Sequence, residues 1–138
     1  MKVIIIGNSA AGLSALEAFR KIDTVSEVRV ITKESRRPYS RVQLPYYLTD
    51  RVALDNLAIR PDSHLHELNA KIITGQVVGL DTAAKTVHLN TGQRLAYDRL
   101  LIASGSTPFT PAITGIGLPG VHNIWTMEDA LALKDVLI

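Results

Sequence analysis

Val3-Ile4-Ile5-Ile6 is an unbroken apolar, β-branched run, the pattern of a strand buried on both faces rather than on one. It leads straight into a run of small and polar residues, Gly7-Asn8-Ser9-Ala10-Ala11-Gly12, after which the period changes. Over residues 13–21, Leu16 and Phe19 fall on one apolar side of a helix, while Glu17, Arg20 and Lys21 are placed to reach solvent. A second strand pattern follows, Glu27-Val28-Arg29-Val30-Ile31-Thr32. The chain therefore opens strand, turn, helix, strand.

Beyond Thr32 the pattern is less regular. Arg37-Pro38-Tyr39-Ser40-Arg41-Val42-Gln43-Leu44-Pro45-Tyr46-Tyr47-Leu48 holds three of the four tyrosines and two prolines. It fits a surface loop entering a short helix, or a wall of a planar-ligand pocket with Arg41 near an anionic or electron-rich group. Residues 50–69 read as loop and helix, with Asp62 or Ser63 as a candidate cap for a helix carrying Leu65 and Leu68. His64 and His66 point to different faces of that helix and read as exposed, not as a metal pair.

Strand-type runs then come in succession: Lys71-Ile72-Ile73-Thr74, Gln76-Val77-Val78-Gly79-Leu80-Asp81 and Thr86-Val87-His88-Leu89. Asn90-Thr91-Gly92-Gln93 is a turn signal before Arg94-Leu95-Ala96-Tyr97. The stretch predicts a hairpin or small meander inserted after the first strand–helix–strand unit. Arg99-Leu100-Leu101-Ile102-Ala103 is the final strand pattern and ends in a second small-residue turn, Ser104-Gly105-Ser106-Thr107-Pro108. An irregular stretch leads to a terminal helix over residues 128–134, with Thr126 as candidate cap. The pattern predicts an α/β fold: a mainly parallel sheet with a β-meander insertion.

Composition narrows the chemistry. At 138 residues the chain is about one domain long, and 46% hydrophobic residues suit an ordinary core. A net charge of +2 with mixed signs asks for no nucleic-acid partner. The short basic stretch at Arg36 and Arg37 reads as a solvated loop first and a phosphate- or partner-facing patch second. The lack of cysteine excludes disulfides, thiolate metal sites and a catalytic thiol within these residues. No secretory signal or membrane-length apolar run is visible, so the cytoplasm is the default expectation, with no membrane contact.

The candidate chemistry lies in the first turn. In a strand–turn–helix, backbone N–H groups and the positive helix end converge on one point, where a dinucleotide pyrophosphate is favoured. Gly7 supplies the tight turn and Gly12 lets the helix approach the strand, with Ser9 and Ala11 completing the small-residue surface. Ser9 stands where G-x-G-x-x-G has its middle glycine; its hydroxyl is a possible phosphate donor. Glu34 lies about twenty residues past the last glycine, where a ribose hydroxyl would need an acceptor. A strand–helix–strand unit that binds nothing, with Glu34 a solvated charge, fits the same letters; the order of elements favours nucleotide binding.

Four pieces taken in order carry a resemblance over almost the whole chain: residues 3–12, residues 38–48, Tyr97-Asp98-Arg99-Leu100-Leu101-Ile102-Ala103-Ser104-Gly105-Ser106-Thr107-Pro108, and Leu118-Pro119-Gly120-Val121. Together they resemble the amino-terminal part of the FAD-dependent pyridine nucleotide-disulfide oxidoreductase superfamily, in the branch of nitrite reductase large subunits and rubredoxin reductases. The resemblance implies a Rossmann-like FAD-binding domain whose first glycine turn holds the FAD pyrophosphate. Glu34 would bind the adenosine ribose, and the backbone at Val77 or Val78 would meet adenine. Ala103, Ser104 and Gly105 would line the FAD cleft, and Arg41 would approach the flavin. NAD(P)H would be the electron donor and a separate protein a possible acceptor.

Two departures qualify it. Leu44 stands roughly where a single-cysteine branch has its thiol, which disfavours thiol-mediated chemistry. Residues 1–138 also match only part of the family's FAD domain, without its NAD(P)H-binding and interface domains, so independent activity is not expected and no catalytic side chain is named. An NAD(P)-binding dehydrogenase domain and a non-enzymatic nucleotide-binding module remain as alternatives.

Overall fold

A computed structural model describes residues 1–137. The chain forms two compact units. The first, Met1–Pro38 with Arg60–Gly105, contains every strand of the described residues. Its parallel sheet comprises β1 (Lys2–Ile6), β2 (Glu27–Thr32), β3 (Ala70–Thr74) and β7 (Arg99–Ile102), in the order β3-β2-β1-β7. The remaining strands, β4 (Val77–Asp81), β5 (Thr86–Leu89) and β6 (Arg94–Ala96), form a separate antiparallel sheet.

Alternation along β1 explains the layering. Ile4 joins Ile31 and the antiparallel-sheet residues Val87, Leu89 and Leu95 in one buried cluster. Ile5 points the other way, toward α1 (Ala10–Arg20), whose Leu13 and Leu16 are fully buried. The central strand thus has apolar cover on both sides, as its unbroken apolar run demands.

Several sequence expectations need correction. Lys71-Ile72-Ile73-Thr74 is not part of the meander: it lies in β3, paired in parallel with β2 from Val28↔Ala70 to Thr32↔Thr74. Arg20 does not reach solvent. It is 8% exposed, and its guanidinium donates to the carbonyls of Leu68 (2.7 Å), Asp23 (3.0 Å) and Asn69 (2.8 Å). It thereby ties the end of α1 to the start of β3. The helix carrying Leu65 is a single turn, α3 (His64–Glu67); Ser63 sits at its N-cap but its side chain makes no cap bond. His64 is half-buried rather than exposed, with Nε2 2.8 Å from Glu17 Oε1, an oxygen that also accepts from Arg60 Nε at 2.7 Å. The Arg60 guanidinium first, and His64 next, hold the Glu17 carboxyl below the ordinary carboxylate range.

The second unit, Tyr39–Ile59 and the chain from Ser106 onward, is built on α2 (Leu44–Leu48) and α4 (Met127–Leu137). Tyr39, Leu44, Tyr47, Leu57, Met127 and Ala130 form its core. Tyr39 Oη accepts the Met127 N–H at 2.9 Å, and Lys134 lies over the Tyr47 ring and bonds Asp50. The tyrosine-rich segment enters a short helix as expected, but it is no surface loop, because Tyr39, Leu44 and Tyr47 are buried in this core. Thr126 caps α4 as expected: its hydroxyl accepts the Asp129 N–H at 3.2 Å, and the Asp129 carboxylate accepts the Thr126 N–H at 2.7 Å. That reciprocal pair is a capping box.

Candidate functional site

The sheet order puts the site before any ligand is considered. From β1 the chain moves outward on one side, to β2 and then β3, and later returns on the other side as β7. In open parallel sheets, ligands bind beyond the carboxyl ends of the strands where the winding reverses, here between β1 and β7. Both small-residue turns lie there. Ile6 pairs with Ile102, and the Ala103 N–H donates to the Ile6 carbonyl at 2.8 Å. Residues 7–12 and 103–105 therefore leave adjacent strand ends.

The turn after β1 has no room for larger residues. Gly7 adopts φ +109°, and a Cβ on it would stand 2.2 Å from the Ala103 carbonyl oxygen. A Cβ on Gly12 would stand 1.9 Å from the Gly7 carbonyl oxygen and 3.4 Å from Ile5 Cγ2. These two glycines let α1, β1 and β7 meet. The turn is pinned on its other side by the Gly7 N–H, which donates to the Ile31 carbonyl at 2.8 Å.

The start of α1 fits an anion. Its first turn carries no acidic residue, and the Ser9 side chain, at the N-cap, makes no cap bond. Ala10 and Ala11 are small and exposed. The first N–H groups of a helix have no partner within it, and the positive end of the helix dipole lies among them. An anionic oxygen is the complement of that arrangement.

The other expected residues are distributed along the same edge, with one exception. Glu34 lies two residues past the end of β2, half-buried. Val77 begins β4 three residues beyond β3, and the Gly75 N–H between them donates to the Thr32 carbonyl at 2.8 Å, beside the end of β2. Val78 is the site of a register shift: Val77 pairs with Leu89 and Gly79 with His88, so Val78 has no opposite residue. A bulge of this kind leaves backbone groups outside the ladder. Ser104 and Gly105 are exposed past β7. Arg41 belongs to the second unit, where its guanidinium donates to the Trp125 carbonyl at 2.7 Å and lies over the Tyr39 and Trp125 rings at 5.2 and 5.5 Å.

Sequence reasoning missed Asn8 and Thr32. The Thr32 hydroxyl lies 3.2 Å from Asn8 Oδ1 and 3.3 Å from both the carbonyl oxygen and the nitrogen of Glu34. The available signal was a polar residue closing an apolar strand, which reads equally well as a strand end. Among the described residues no group of three or more histidine, aspartate or glutamate side chains is arranged to hold a metal. No described helix is long and apolar enough to cross a membrane.

A parallel sheet with a glycine turn at its reversal point defines the class, a Rossmann-like α/β unit with an antiparallel sheet on one face. Within that class, the chain belongs to the pyridine nucleotide-disulphide oxidoreductase family, whose sequence profile matches residues 1–138. It is 31% identical over 137 residues to the NADH-dependent phenylglyoxylate dehydrogenase subunit epsilon of Aromatoleum evansii, covering 99% of this chain and 32% of that protein. It is 30% identical over 140 residues to a rubredoxin-NAD(+) reductase of Pseudomonas putida, covering 100% and 36%. The fold matches a NAD-dependent persulfide reductase from A. fulgidus with TM-score 0.88 and 32% identity, over 99% of this chain and 27% of that one. The chain spans about a third of the length of the curated relatives it matches.

Proposed function

We propose that this chain is the FAD-binding portion of an NAD(P)H-dependent flavin oxidoreductase that passes electrons to a separate acceptor protein. The observation that carries the reading is the pair of turns at the β1/β7 reversal, one of which opens a helix with neither an acid nor a side-chain cap in its first turn. In this reading Gly7, Ser9, Ala11 and Gly12 form the surface against the FAD pyrophosphate, with Ser9 adding a hydroxyl donor. Glu34 accepts from the adenosine ribose, and the unpaired backbone at Val78, beside Val77, faces adenine. Ala103, Ser104 and Gly105 form the neighbouring wall. The role of Arg41 at the flavin rests on resemblance alone.

When bound, the flavin would supply the redox chemistry between a nicotinamide hydride and the two electrons delivered to the acceptor, with the hydride's proton left to solvent. This chain's own residues bind and orient. The relatives support the nicotinamide donor, since NADH or NAD(+) stands in the names of phenylglyoxylate dehydrogenase epsilon and rubredoxin reductase alike. Rubredoxin in the second name is a protein partner and the first name prints none, so the acceptor is proposed only as a class, a protein.

Titration of the purified chain with FAD, followed by flavin absorbance and fluorescence, tests the reading. One FAD per chain is expected. NADH binding with no flavin uptake would favour a dehydrogenase domain instead, and uptake of neither would overturn nucleotide binding.

A further inference from the structure

Thr32 is 7% exposed and ends β2. Its main chain is fixed by the Thr32↔Thr74 pairing and by the Gly75 N–H donating to its carbonyl at 2.8 Å. The β-branched side chain has few rotamers, so burial and backbone together fix where the hydroxyl points. That hydroxyl meets two segments, the turn after β1 and the stretch after β2. It donates toward Asn8 Oδ1 at 3.2 Å, in the turn between β1 and α1. It also lies 3.3 Å from the Glu34 carbonyl oxygen and accepts the Glu34 N–H at 3.3 Å.

A strand threonine needs only one partner to satisfy a buried hydroxyl. This one bridges the two places that a dinucleotide's adenylate half would touch at once. Pyrophosphate and ribose are covalently joined, so the turn and the acid must hold one spacing, and a spacing set before binding removes an ordering cost from the affinity. Resting on the FAD reading above, we propose that Thr32 is the positioning residue of the site, its hydroxyl tying Asn8 of the first turn to the backbone of Glu34 and so fixing the acid relative to the phosphate-facing turn. Thr32 acts through these neighbours and does not itself touch the ligand.

The test compares FAD dissociation constants, by flavin fluorescence, for wild type, Thr32→Val, Thr32→Ser, Glu34→Gln and the Thr32→Val/Glu34→Gln pair. Amide exchange at Glu34 is followed in the ligand-free proteins. Valine keeps the branched shape and removes only the bridge; serine keeps the hydroxyl. Thr32→Val is expected to weaken FAD roughly five- to tenfold, the worth of about one hydrogen bond, while Thr32→Ser stays close to wild type. The double variant loses less than the product of the two single losses, because Thr32 acts through Glu34. The Glu34 amide exchanges faster in Thr32→Val.

Wild-type affinity in Thr32→Val, fully multiplicative losses, or unchanged Glu34 exchange would each overturn the proposal. A merely structural threonine predicts lowered stability with multiplicative losses. Should Thr32→Val fail to fold, Thr32→Ala against Thr32→Ser makes the same comparison. A wild-type chain that takes up no FAD overturns the functional reading itself, and that appears in the first titration.

Discussion

Gly12 is held by a contact shorter than any side chain permits. A methyl group there would stand 1.9 Å from a backbone oxygen, and neither Gly7 nor the helix can retreat without disturbing β1. Gly12→Ala is expected to cost about 3 kcal/mol of unfolding free energy, the upper range of overpacking, read as a lower urea midpoint. Ala11→Ser, one residue earlier and exposed, should leave the midpoint within about 0.5 kcal/mol of wild type. Equal midpoints for the two variants would refute the close approach. At this scale the sequence was informative, because Gly7 and Gly12 advertise their roles by type and spacing. Asn8 and Thr32 do not. A hydroxyl that bridges two segments distant along the chain looks, in one dimension, like any strand-ending threonine.

Elements were legible where their period was long and misread where contact partners decided. The two opening strands and the capped terminal helix followed from local pattern, and Thr126 with Asp129 closes its cap within four residues. The first helix was legible too, but it starts at Ala10, three residues before the expected start and inside the small-residue run read as turn. The run over residues 71–74 reads as meander because it precedes three true meander strands; which sheet it joins depends on pairing with β2, some forty residues earlier. Arg20 was misread for a related reason. Its helical position suggests solvent, but the acceptors that bury it come from residues 68 and 69. Arg20→Met keeps the apolar stem and strands those carbonyls. It should cost about 3 kcal/mol, given three lost bonds from a charged donor, and thermal unfolding by circular dichroism checks it. A melting temperature equal to wild type would mean that the tie between α1 and β3 carries no weight.

For the molecule as a whole, acid is the expected weakness. In the first unit, the Arg60 guanidinium lowers the Glu17 carboxyl, the Ser26 hydroxyl lowers Asp23, Arg29 lowers Glu27, and the Lys2 backbone N–H lowers Asp98. In the second unit, burial tends to raise Asp129, but the Thr126 and Trp125 N–H groups and the Thr126 hydroxyl bring it below its ordinary value. Carboxylates held low in the folded state stabilise it above their unfolded values, and that contribution is lost as pH falls through the folded values. The urea midpoint should therefore be nearly flat from pH 7 to about 5 and fall below about pH 4, where unfolded carboxylates take up protons. Because these groups are largely solvated, each contributes little and salt should blunt the drop. A midpoint that rises on acidification would contradict the assignment.

The last strand of the parallel sheet leaves a different mark on the molecule. Among the described residues β7 has β1 as its one strand neighbour, and Leu101 and Ile102 are exposed at 39% and 58%. Such a border can recruit foreign backbone, with Arg99 the one charge along its length to discourage this. In a sheet whose centre is covered on both faces, these four residues are one of the two rims that an added strand could extend.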